Sequence, residues 1–251
     1  MGSSTHQKNK VKGDILSSVD FLMEHLNTVE NWDSNEFFLR DVIVMASAKL
    51  LKKCHDEINE NNIVIVAPLL RQVQENLVVI SGLVEGVLTT EQFINDKHRP
   101  KDIMNAIKAK GLEIKESEFD FFNNYLQGIK DMLNKYSHTN FEGVMTLFTE
   151  RFQVQEAQQF NRIMMRFVMS LIEAPFLVMV NYIYKLNLVL PKAENFQKEL
   201  KELGTLKYIT RHFPEPIKDF INQSDVLRDY YINVVTNLKK TLQDYRELKP
   251  L

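Results

Sequence analysis

From Asp14 to Trp32 the apolar residues Ile15, Val19, Leu22, Leu26 and Val29 recur every three or four positions, which places them on one stripe of a helix. A second helix follows, with Asp33 as its cap and Glu36 at capping-box spacing. Phe37, Val42, Met45, Leu50, Cys54 and Ile58 keep it facing a core to about Asn59. Ala67-Pro68 predicts a third start, because proline suits the first helical turn, and Leu70, Val73, Leu77, Ile80, Val84 and Val87 carry that helix to about Leu88. Val78 and Val79 add apolar surface on its other sides, so this helix is expected to be buried nearly all round.

A short helix is expected after Thr90. Another opens at Arg99-Pro100, runs through Ile103, Met104 and Ile107, and stops at Gly111. Ser117 caps the next, whose stripe is Phe119, Phe122, Leu126, Ile129, Leu133 and Tyr136, with Gly143 just beyond its end. A long apolar helix spans Val154 to Leu188 with Pro175 as a kink, and Leu190-Pro191 ends it. The chain then becomes more charged and is punctuated by Gly204, Pro214 and Pro216 before a last helix from Ser224-Asp225, near heptad spacing for under three heptads. The pattern predicts an all-α helical bundle of about seven to nine helices: an arm over 1–12, a main domain over 13–190, and a helical C-terminal appendage over 191–251 that packs on it.

Composition agrees with this reading. Hydrophobic residues at 44% and charged residues at 25% are ordinary for a globular protein, and 8 Gly with 7 Pro leave little room for many tight β-turns. A formal net charge of −2 offers no global attraction to nucleic acid, so any such binding must come from a local patch. Cys54, the single cysteine, cannot form an intramolecular disulfide, and the polar start has no secretory apolar stretch, so a cytoplasmic location is expected. Phe167 to Tyr184 approaches the length of a membrane span. Glu173 within it would cost roughly 2.5 to 3.5 kcal/mol in a bilayer, so a buried helix is the simpler reading and no membrane partner is expected.

Candidate chemistry is sparse. The six histidines are scattered, no pair has metal-ligand spacing, and neither G-x-x-x-x-G-K-[ST] nor G-x-G-x-x-G occurs, so no metal or cofactor is expected. Ser137 beside His138, and Cys54 beside His55, point about 100° apart on a helix and cannot act as nucleophile and base. Lys130, Asn134 and His138 fall at i, i+4 and i+8, a row at the edge of the apolar stripe. There His138 could act as an acid or base, and Asn134 could orient it or bind a phosphate or ribose oxygen; otherwise this is an ordinary helix C-terminus, where His and Lys bond the last carbonyls and complement the dipole. Arg71 and Glu75 sit at i, i+4 on the most apolar helix, either as an ordinary surface pair or as a desolvated functional one. Arg162 and Arg166, also one turn apart, could add positive charge if they share that cleft.

Asn134-Lys135-Tyr136-Ser137-His138 resembles the end of the motif of small helical HEPN-type domains, an arginine, a polar residue, three variable residues and a histidine, with Leu133 where the arginine belongs. Arg71-Gln-Val-Gln-Glu75 followed by Tyr136, Ser137 and His138 is also similar to a bacterial family of helical proteins with an Arg-x-x-x-Glu helix before a Tyr, Ser and His element; the match covers roughly residues 65–145. These resemblances imply a metal-independent ribonuclease of a bacterial or phage defence or toxin system. His138 would be its acid/base, Arg71 would bind phosphate in place of the missing arginine, and Asn134 and Glu75 would orient them. RNA, and a protein partner or second copy of the chain, are the implied partners. Two other readings stand beside it: a non-catalytic helical interaction or regulatory protein, and an apolar-ligand-binding bundle built on Ile163 to Tyr184.

Overall fold

The computed structural model describes residues 15–28, 32–96, 99–110, 126–131, 133–134 and 155–189 with Asp225 and Asp229, and there most of the expected apolar stripes are helical, although the helices expected to reach Leu88 and Leu188 end at Val84 and Tyr184. Among the described residues the helices up to residue 189 are α1 (Ile15–Asn27), α2 (Asn35–Asn59), α3 (Ile63–Val84), α4 (Thr90–Ile94), α5 (Pro100–Ala109), α6 (helical at 126–131 and 133–134) and α7 (Gln155–Tyr184). No described residue lies in a strand, and the protein is an all-α bundle. The expected arm, the Ser117 cap, Gly143 and the appendage over 191–251 lie outside the described residues, except Asp225 and Asp229, which are helical.

α3 is the central helix, packed by α2, α5 and α7, while α2 also carries α1 and touches α4. Its position follows from its residues: Val66, Leu70, Val73, Leu77 and Ile80 are buried on one side and Val78 and Val79 on another, so only neighbours on several faces can cover it. One core runs from Val19 on α1 to Leu188 beyond α7 and takes in Leu126, Ile129 and Leu133 of α6. Each large aliphatic or aromatic side chain in it contributes about 1.5–3 kcal/mol of burial. By length and composition, α3 and Asn161–Tyr184 of α7 could cross a membrane; 56% and 59% of their most apolar windows are buried inside the fold, a pattern that core helices share.

Several helix ends differ from the sequence expectation. The cap of α2 is Ser34, not Asp33: its side chain accepts from the Phe37 amide at 3.2 Å. Glu36 therefore falls one place short of the capping-box position. It instead accepts from the Thr90 amide at 3.3 Å and hydroxyl at 3.1 Å, pinning α4 to α2. α4 carries its own capping box, Thr89 with Gln92. α3 starts at Ile63 because Asn61, at φ 66°, reverses the chain within three residues of α2; Pro68 thus lies inside the helix and leaves the Val64 carbonyl without its helical donor. α1 stops at Asn27, where Thr28 bonds the His25 carbonyl through its amide and hydroxyl. α7 stops at Tyr184, four residues early, with Lys185 at φ 55°; Asn181 accepts from the Leu188 amide at 2.9 Å and so folds the exit segment back.

α3 ends at Val84 in a Schellman turn. Gly86 takes φ +62°, its amide donates to the Leu83 carbonyl, and the Val87 amide donates to the Gly82 carbonyl. One turn earlier, α5 packs close against Gly82: a Cβ there would lie 2.7 Å from Ile103 Cγ2 and 3.1 Å from Leu88 Cβ. Ile103 is itself 3% exposed and has nowhere to move. Gly82→Ala is therefore expected to lose about 1–3 kcal/mol by overpacking, despite alanine's better helix propensity of about 1 kcal/mol. Urea denaturation checks this, and a gain in midpoint would contradict it.

Candidate functional site

The polar residues of α3 meet α6. Arg71, Gln74 and Glu75 lie within about one turn of one another, and the apolar stripe of α6 (Leu126, Ile129, Leu133) is drawn into the core, which leaves Lys130 and Asn134 half-buried at its edge. Arg71 Nε donates to Glu75 Oε1 at 3.2 Å and Arg71 Nη1 donates to Asn134 Oδ1 at 3.1 Å. Arg71 and Asn134 are 63 positions apart in the chain, so this bond is made by the tertiary fold. Three of the four residues selected from the sequence thus form one hydrogen-bonded group. The fourth, His138, lies outside the described residues.

The group is less buried than the apolar helix implied. The Arg71 and Glu75 side chains keep 33% and 38% of their exposure, so the pair itself contributes a few tenths of a kcal/mol. The fully enclosed polar residue of α3 is Gln74, 5% exposed. Its Nε2 donates to the Leu126 carbonyl, which fixes the amide orientation and leaves Oε1 without a partner among the described residues. Gln74 and the Arg71–Asn134 bond hold α6 on α3 from two places. On the far side Asn76 donates to Ser47 Oγ at 2.9 Å, tying α3 to α2.

Arg166 reaches the end of α2, where its Nη2 donates to Asn59 Oδ1 at 2.8 Å. Arg162 is half-buried, with its Nε unpartnered among the described residues. Among the described residues no three His, Cys, Asp or Glu side chains could share a metal ion. An open groove of about 420 Å³ lies elsewhere, between the starts of α2 and α4, where Glu36 and Glu91 make it unsuited to anions.

Sequence reasoning missed a second polar cluster. Asp41, 4% exposed, accepts from Trp32 Nε1 at 3.0 Å, from Arg40 Nε at 2.8 Å and from the Tyr184 hydroxyl. The Arg40 guanidinium lies over the rings of Phe37 at 4.7 Å and Tyr184 at 5.3 Å. Burial first, and the bond to Asp41 second, push the Tyr184 hydroxyl well above the ordinary tyrosine range. Asp41 within an otherwise apolar helical face was the available signal, since a buried acid needs donors. Arg40 is its neighbour in the chain, but the other two donors came from residues 9 and 143 positions away, which no local pattern reveals.

No family model, curated protein or solved structure matches the chain. The class that fold and site define is an all-α bundle with a half-exposed Arg–Asn–Glu group where two of its helices meet.

Proposed function

We propose that the α3–α6 junction binds the RNA backbone and that the protein is a HEPN-like, metal-independent ribonuclease of a bacterial or phage defence or toxin system, acting in the cytoplasm. The observation that carries this is the 3.1 Å bond between Arg71 and Asn134, which precedes His138 by four positions in the sequence. Two of the five guanidinium N–H donors of Arg71 are engaged by Glu75 and Asn134, and the others can meet phosphate oxygens. His138 takes the proton from a ribose 2′-hydroxyl, whose oxygen attacks phosphorus. The 5′-oxygen leaves and takes a proton from solvent, giving a 2′,3′-cyclic phosphate. Asn134 and Glu75 hold the arginine in place.

Incubation of the full chain with single-stranded and structured RNAs in the presence of a chelator tests this. The expected result is cleavage with cyclic-phosphate ends, reduced roughly 10²–10⁴-fold in His138→Ala and on the order of 10²–10³-fold in Arg71→Ala. No cleavage across the RNA set, or equal cleavage by His138→Ala, overturns it. A second reading, a non-catalytic interaction or regulatory protein, is favoured by apolar surface at the start of α2, where Trp32, Phe37, Phe38 and Val42 are 38–47% exposed. On that reading no RNA is cut, and His138→Ala changes only stability or partner binding.

A further inference from the structure

Glu173 stands in the middle of α7, 2% exposed, inside the main core and not at its edge. Its Oε1 has no hydrogen-bond partner among the described residues. Neighbouring positions on α7 are apolar and buried, Ile172, Phe176 and Leu177 among them, and the α7 face packs on α2 and α3. A carboxylate cannot be kept in such a place without a counter-charge, because desolvation costs far more than core packing returns.

Among the described residues, the surrounding elements supply none. On α2, the groups close enough to interact with one another across the seam are the Cys54 thiol, fully buried, and the Glu57 carboxylate, which is held by Lys53 Nζ at 2.5 Å and Asn62 Nδ2 at 2.7 Å. The Glu57 carboxylate would repel a second negative charge, and the neutral Cys54 thiol offers no counter-charge. On α3 the ionisable residues are Arg71 and Glu75, bonded to each other, and Glu85 at the helix end. On α7 itself, Arg166 lies two turns away and is bonded to Asn59, with Arg162 a turn further.

We propose that Glu173 is a proton-operated latch: as the neutral acid it lets α7 seat against α2 and α3, and loss of its proton loosens the α2–α7 seam around Cys54. Burial moves the Glu173 carboxyl up from 4.5 to about 8, close enough to neutrality for the latch to work in mildly alkaline conditions. Its sign is definite. The folded value lies above the unfolded one, so the stabilising contribution is complete below about 4.5, declines as pH rises, and is gone above about 8. Cys54 reports the opening, because burial above all pushes its thiol up to about 12, and release from that burial would let it ionise and react. The latch is independent of any ribonuclease activity.

Infrared difference spectra of the full chain against Glu173→Gln, taken from pH 6 to 9, test the protonation. A carbonyl stretch of an un-ionised carboxyl, present in the wild type at pH 6, lost towards pH 9 and absent from the variant, is expected; its absence at pH 6 overturns the proposal. Maleimide labelling of Cys54, the single cysteine, tests the opening. Thiolate formation alone speeds labelling about tenfold per pH unit. Between pH 7 and 9 the wild type should gain on the order of a further tenfold while Glu173→Gln does not. Identical pH profiles for the two would overturn the latch. Glu173→Met, which also cannot ionise, serves the labelling arm if the glutamine variant does not fold, and the wild-type infrared titration decides by itself if neither folds.

Discussion

Leu133→Arg, the substitution that would complete the HEPN-type motif in the sequence, is expected to unfold the protein. Leu133 is 0% exposed and belongs to the core with Leu126 and Ile129, whereas Asn134, next in the chain and 100° round the helix, faces Arg71. An arginine at 133 would lose the leucine packing, worth about 2–5 kcal/mol, and bring an unpaired cation into apolar surroundings, a further cost of several kcal/mol. The combined loss is comparable with the whole stability of a typical domain, about 5–15 kcal/mol. Circular dichroism and thermal melting should show a molten or unfolded chain, while Leu133→Met, a volume-conserving change, should cost under about 1.5 kcal/mol. A folded Leu133→Arg with wild-type melting would mean that α6 can rotate and that the core position is not what places leucine there.

Asp41→Ala should come next in magnitude, at about 3–5 kcal/mol. The carboxylate accepts from three donors carried by the segment before α2, by α2 and by the end of α7. Its removal strands Arg40, whose side chain is 16% exposed, with the Tyr184 hydroxyl and the Trp32 indole. Asp41→Asn should fall between: its carbonyl oxygen can still serve Arg40 and Tyr184, but its amide then meets the Trp32 N–H donor to donor. Trp32 is the single tryptophan, so urea unfolding followed by its emission measures both the stability and the lost bond. A loss below about 1 kcal/mol for Asp41→Ala would show the cluster to be solvated in solution. Tyr184 adds a pH signature. Its folded value is raised, so its contribution is complete below the unfolded tyrosine value near 10 and lost as pH rises beyond it. Tyr184→Phe should lack that alkaline decline.

Legibility varied with the range of the interaction. The burial of α3 on several sides was readable from Val78 and Val79 added to a complete stripe, because burial of that kind is a local property of composition. Helix ends were read less well. Ser34 displaced Asp33 by one residue because the two are chemically equivalent caps and only backbone dihedrals choose between them. α3 began ahead of Pro68 because Asn61 turned the chain sooner than the proline signal implied. Of the site, Arg71, Glu75 and Asn134 were selected correctly as neighbours, although the pair is half-exposed where the apolar helix suggested burial.

The sequence by itself determined that this chain is helical, which faces of its helices are apolar, and that Arg71 and Glu75 share a face, since all three follow from spacing at 3.6 residues per turn. Only the tertiary structure decided that Asn134 meets Arg71, that Asp41 gathers Trp32, Arg40 and Tyr184, and that Glu173 lies in the core without a partner. Those outcomes depend on how helices distant in sequence are set against one another. That arrangement is chosen by close packing of the whole core, which no single stretch of the chain encodes.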